Sequence, residues 1–145
     1  MPDENIAARW RSWAPQLLSV LRIVSAFEFF QFGSGKLFAF PGPLIPGGGT
    51  VPLGSLAGIA GLLEVVGGSL LFVGLFTRPV AFLLAGEMAI AYFHSHAPGG
   101  FWPVLNGGHA AALFCFVWLY ISAAGPGHWS LDSTLRGVAR APQQA

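Results

Sequence analysis

Charge is scarce in this chain. Asp, Glu, Lys and Arg together make up 9% of 145 residues, against roughly a quarter in an average soluble domain. A soluble globule of this size cannot cover its surface with so few charges. Disorder is excluded as well, because it requires low hydrophobicity and high charge. No basic block occurs and the net charge is +1, so nothing points to nucleic acid. Cysteine is almost missing: Cys115 stands alone. That excludes an intramolecular disulfide, a CxxC redox pair and a Cys-rich metal site.

What the chain has is apolar length. Hydrophobic residues make up 54%, and the mean hydropathy is +0.63. Crossing a bilayer core takes about 20 mostly apolar residues in helix. Four stretches approach that length, at roughly 17–40, 53–76, 80–97 and 104–124. Pro15 suits the start of the first. The Pro/Gly runs at 41–49, 98–100 and 125–127 end helices, and Thr77-Arg78-Pro79 is a short polar turn. The expected fold is all-α, an integral membrane four-helix bundle. Residues 1–14 are expected at the interface, with Trp10 and Trp13 at headgroup depth. Residues 128–145 form a polar tail, part surface helix and part disordered. The early Asp3 and Glu4 argue against a cleaved signal peptide. Arg9, Arg11, Arg78, Arg136 and Arg140 all fall on one side of this topology. By the positive-inside rule both termini are then cytoplasmic, in a multi-pass protein of a bacterial-type inner (plasma) membrane.

Ionisable residues inside the spans carry the functional information: Arg22, Glu28 and Lys36 in the first, Glu64 in the second, Glu87 and His94 in the third, His109 in the fourth. A charge at the bilayer centre costs at least ~2.5–3.5 kcal/mol, so such groups turn to the bundle interior, a partner or water. Glu28, Glu64 and Glu87 each stand about ten residues from a span end, which puts all three near the midplane at ~1.5 Å per residue. Glu87 and His94 are two helical turns apart and share a face. Glu28 and Lys36 lie about 80° apart around the first helix. The simplest arrangement is an outward-opening pocket with three carboxyls at its floor. Three carboxylates in low dielectric cannot all stay ionised, and Lys36 is the expected counter-ion for one of them. Interhelical hydrogen bonding by the same acids is the competing structural reading. Arg22 is expected to snorkel to the headgroups, and His96 and His128 to be interfacial. Small residues at 57, 61 and 68 and at 81, 85 and 89 are expected to let helices approach.

Metal and cofactor motifs are lacking. A di-iron bundle needs Glu-x-x-His on two helices, and none occurs. Glu87, His94 and His109 leave a mononuclear site open by residue type, but no metal is assigned. There is no GxGxxG, phosphate loop or GxSxG.

A string of short motifs carries a family resemblance. Gly33-Ser34-Gly35-Lys36-Leu37-Phe38 ends the first span. Gly61-Leu62-Leu63-Glu64-Val65-Val66-Gly67-Gly68 and Gly74-Leu75-Phe76-Thr77-Arg78-Pro79 follow. Then come Gly86-Glu87-Met88-Ala89, Gly100-Phe101-Trp102-Pro103, Asn106-Gly107-Gly108 and Gly125-Pro126-Gly127 with Ser130-Leu131-Asp132. In this order, over roughly Leu21 to Asp132, the chain resembles the DoxX family of small four-helix membrane proteins. The resemblance implies association with a quinone-linked oxidoreductase, since the family is named for a subunit associated with a thiosulfate:quinone oxidoreductase. It matches Lys36, Glu64, Arg78, Glu87 and Asn106 to family positions. Phe32 stands where the family often has His, and His109 where it commonly has an acid. The pocket thus loses polar groups and exchanges an acid for a base.

The expected function is a membrane subunit of a quinone-linked oxidoreductase. Glu64, Glu87 and Glu28 would exchange protons. Lys36, His94, His109 and Asn106 would bind a quinone-type or other small ligand. No cofactor is fixed by the residues; a quinone is the candidate, and a partner redox protein would supply any metal or flavin. Two other readings stay open: a small-solute, proton-linked carrier or channel, and a scaffold for a redox partner without chemistry of its own. Membrane lipid surrounds the chain, and pairing of small-residue faces would give a homodimer.

Overall fold

A computed structural model describes residues 2–45 and 47–140. Among the described residues there are five α-helices and no strand: α1 (Pro2–Phe38), α2 (Leu56–Val73), α3 (Thr77–Ala91), α4 (His109–Ala124) and α5 (Leu131–Arg140). α3 continues into a π-helical turn, Tyr92–His96, and a 3₁₀ turn, Ala97–Gly99. The helix ends depart from the sequence expectation at three places. α1 does not begin at Pro15 but passes through it. The missing Pro15 N–H is tolerated in a setting where its carbonyl accepts both Ser19 Oγ (2.9 Å) and the His128 N–H (3.3 Å). The third helix starts earlier, at Thr77, and changes winding at Tyr92. The fourth starts only at His109, because residues 101–108 turn around Asn106.

Local chemistry explains the remaining ends. Ser55 Oγ accepts the Gly58 N–H at 3.0 Å and caps α2. Gly74 closes α2 in the left-handed region (φ 71°). Its N–H reaches Leu71 and that of Leu75 reaches Leu70, which satisfies the last carbonyls. α3 has no cap of its own. Its first N–H groups, Phe76 and Thr77, donate to the two carboxylate oxygens of Asp132 at 2.9 and 2.8 Å.

α1 packs along α2 and α3 along α4, while α2 and α3 touch over less of their length. Gly33 lets α1 and α2 meet: a Cβ there would stand 2.6 Å from the Gly61 carbonyl oxygen and 2.8 Å from Glu64 Cβ. Phe29 of α1 meets Phe114 and Trp118 of α4 at ring separations of 5.2 and 5.4 Å. Leu71, Leu84 and Met88 complete this core. Outside it, apolar side chains face outward: Phe82 is 67% exposed, Phe93 71% and Phe116 69%. Within α1, Ile6–Phe38 is long and apolar enough to cross a membrane, and so is α2. Residues 141–145, the far end of the expected tail, lie outside the described residues.

Candidate functional site

Glu64 sits in the middle of the buried face of α2, with Gly61 and Gly68 on either side. The close crossing at Gly33 brings it against α1, where Lys36 lies almost a full turn farther along. Lys36 Nζ donates to Glu64 Oε1 at 2.6 Å. The Glu64 side chain is 3% exposed and that of Lys36 26%. The second carboxylate oxygen of Glu64 is buried without a partner. Among the described residues, neither oxygen of Glu87, on the buried face of α3, has a hydrogen-bond partner. A buried polar group without a partner is uncommon, and an unpaired buried carboxyl is costlier still.

A groove of about 880 Å³ runs between α2 and α3. Its walls are apolar side chains such as Ile59, Phe82 and Ile90, and Lys36, Glu87, His94, Ser95 and His96 supply its polar lining. Ile59, Phe82 and Ile90 are each more than half exposed, so the groove opens sideways. The π turn carries both histidines, and such turns interrupt α-helices frequently at functional sites. His96, expected at the interface, faces this groove instead, and its Nδ1 lies 3.3 Å from the Asn106 carbonyl.

The other residues singled out from the sequence lie elsewhere. Glu28 is exposed on a different face of α1. It lines a separate cavity of about 480 Å³ with Gln31, Phe32 and Pro41–Leu44. The floor of the groove therefore does not gather three carboxyls: depth along a helix is readable from sequence, but the neighbour each face meets is not. His109 is exposed at the start of α4, outside the groove lining. The side chain of Asn106 binds its own loop, donating to the Gly100 carbonyl and accepting the Gly108 N–H, both at 2.8 Å. Among the described residues, no three His, Cys, Asp or Glu side chains cluster in a way that could hold a metal ion.

Arg22 does not snorkel. It is fully buried and donates to the carbonyls of Leu71, Phe72 (2.8 Å), Pro126 (2.8 Å) and Trp129. It thereby covers the open end of α2 and ties it to the chain after α4. Arg78 does the same for α4, donating to the carbonyls of Ser122 (3.0 Å), Ala123 and Ala124. Asp132 completes this end. Burial alone would raise its carboxyl, but hydrogen bonds from Thr77 and Phe76 and the charge of Arg136 prevail and hold it below the ordinary aspartate range. These three residues organise backbone, a role the sequence does not disclose, since their partners are carbonyl and N–H groups that no side-chain pattern announces.

Comparison with known proteins supplies the family. The DoxX family model matches residues 17–97. An uncharacterized protein of Haemophilus influenzae is 42% identical over 124 residues, covering 83% of this chain and 92% of the relative. An uncharacterized membrane protein of Mycobacterium tuberculosis is 27% identical over 135 residues, covering 83% and 82%. No solved structure matches the chain. An all-helical chain, two apolar helices of spanning length and these relatives agree: this is a membrane protein that belongs to the DoxX family.

Proposed function

We propose that the chain crosses a bacterial plasma membrane four times, with both termini in the cytoplasm, as the membrane subunit of a quinone-linked oxidoreductase. The crossings are α1, α2, the continuous run from α3 through its π and 3₁₀ turns, and α4, packed as a four-helix bundle. The outward, exposed phenylalanines of α3, the π turn and α4 support this, because they suit lipid and not water. So does charge: all six arginines fall at the end where both termini lie, and Lys36 alone is at the other.

The groove between α2 and α3 takes a quinone-type ligand from the lipid. Its apolar walls match an isoprenoid-substituted ring, and its polar end offers donors and acceptors for ring oxygens. Glu87 takes and gives the proton, and the Lys36–Glu64 pair beside it sets the local charge. His94 and His96 line the same groove as Glu87 and pass protons between it and the outer surface. The observation that carries the reading is the bare Glu87 carboxyl in the wall of a groove open to the side. Electron transfer itself belongs to a partner redox protein, since this chain has no cofactor motif.

The test is to purify the protein in mild detergent, extract it with solvent and quantify the quinone by reduced-minus-oxidised absorbance. Wild type is expected to retain quinone and the Glu64→Gln, Glu87→Gln double variant to lose most of it. Equal retention by both would refute the assignment.

A further inference from the structure

The opposite end of the molecule carries a further cavity, of about 600 Å³, which the quinone reading does not use. It lies among the start of the bundle on α1, the end of α4, the loop after it and α5. One part of its wall is apolar and comes from Ala14, Leu18 and Tyr120; the other is basic and comes from Arg78, His128 and Arg136. Among the described residues that line it there is no carboxylate. The nearby acid Asp132 has both oxygens engaged by Phe76 and Thr77.

The three basic side chains are held differently. Arg78 is fixed against the last carbonyls of α4, where it offsets the negative end of that helix. Arg136 uses only Nε, on the Asp132 carbonyl at 3.1 Å. Among the described residues its two terminal nitrogens have no hydrogen-bond partner, and they form a fork of the shape that matches a phosphate. The ring of His128 makes no hydrogen bond among the described residues, although its backbone is anchored to Pro15 and Ser133. Two guanidinium groups facing one hollow, with no carboxylate among the described residues that line it, favour an anion there.

We propose that this groove binds the phosphodiester headgroup of an anionic phospholipid. The phosphate sits on the Arg136 fork and His128, with Arg78 behind it. An acyl chain passes over Leu18 and Tyr120 toward the exposed apolar faces of α1 and α4. A phospholipid fits better than free phosphate because the basic half of the hollow adjoins an apolar half. A basic pocket between helices at the positively charged end of a membrane protein is where such lipids are held.

Native mass spectrometry on the full-length protein in detergent tests this. The protein is delipidated, then titrated separately with phosphatidylglycerol, phosphatidylcholine and inorganic phosphate. Wild type is expected to hold one phosphatidylglycerol with about tenfold preference over phosphatidylcholine. Arg136→Gln with His128→Gln is expected to abolish that preference while lowering the lipid-free melting temperature only slightly, since the one hydrogen bond lost is that of Arg136 Nε to the Asp132 carbonyl at the surface. Should the double variant fold poorly, Arg136→Glu alone serves, with the same loss of preference expected. Equal binding of the two lipids, undiminished preference in the variants, or phosphate binding as tight as the lipid's would each overturn the proposal.

Discussion

Lys36 and Arg22 are both cations of α1, fourteen positions apart, the first partly buried on one carboxylate oxygen and the second fully buried among carbonyl oxygens. Arg22 faces four carbonyls, so its role is to satisfy backbone at a helix end. Lysine at that position keeps the charge but offers no planar fork to several acceptors. Arg22→Lys should cost about 2 kcal/mol, read as a lower melting temperature in detergent, with quinone content per folded protein unchanged. Lys36 faces one carboxylate. Lys36→Met leaves Glu64 buried without its partner and should cost about 3 kcal/mol. Adding Glu64→Gln to Lys36→Met removes the orphaned charge and should restore much of that loss. Melting temperatures of the two single variants and the double variant form the cycle that checks it. Equal costs for Lys36→Met with and without Glu64→Gln would mean that the 2.6 Å contact contributes little.

At the scale of helices, Gly33 sets two effects against each other. Helix propensity favours alanine over glycine by about 1 kcal/mol. The clash with the Gly61 carbonyl and Glu64 Cβ at 2.6 and 2.8 Å costs about 2 kcal/mol or more, because backbone cannot yield as a side chain can. Gly33→Ala should therefore destabilise the protein and also loosen the Lys36–Glu64 pair; a raised melting temperature would count against the close crossing. Asp132 links α5 to α3 in a way that depends on pH. Its folded carboxyl lies below the ordinary value. Its contribution is thus complete above about pH 4, where the unfolded chain is already ionised. It is lost as pH falls further, through the folded value. Asp132→Asn should lower stability by about 1 kcal/mol near neutrality. The gap to wild type should close on acidification, as melting temperatures measured across pH would show.

Over the whole molecule, some features are legible in the sequence and some are not, for physical reasons. Glu64 and Glu87 stand out because an acid in an apolar run must find a reason to be there, and the structure buries both. Glu28 gives the same signal at the same depth yet faces elsewhere. Position along a helix follows from counting, whereas rotation toward a neighbour depends on how the helices cross. Arg22 is unreadable because its acceptors are carbonyls 49 to 107 positions away. The π turn is unreadable because nothing in Tyr92–His96 forbids an α-helix. The polar end of the groove thus depends on long-range packing: Gly33 sets one wall, and the π turn sets the other.

Infrared difference spectroscopy of the quinone-loaded protein in lipid, on reduction of the quinone, reads that polar end directly. Wild type and Glu28→Gln should both show a carboxyl C=O band that changes on reduction, and Glu87→Gln should lack it. A band that persists in Glu87→Gln, or that vanishes in Glu28→Gln, would place the proton somewhere other than the groove between α2 and α3.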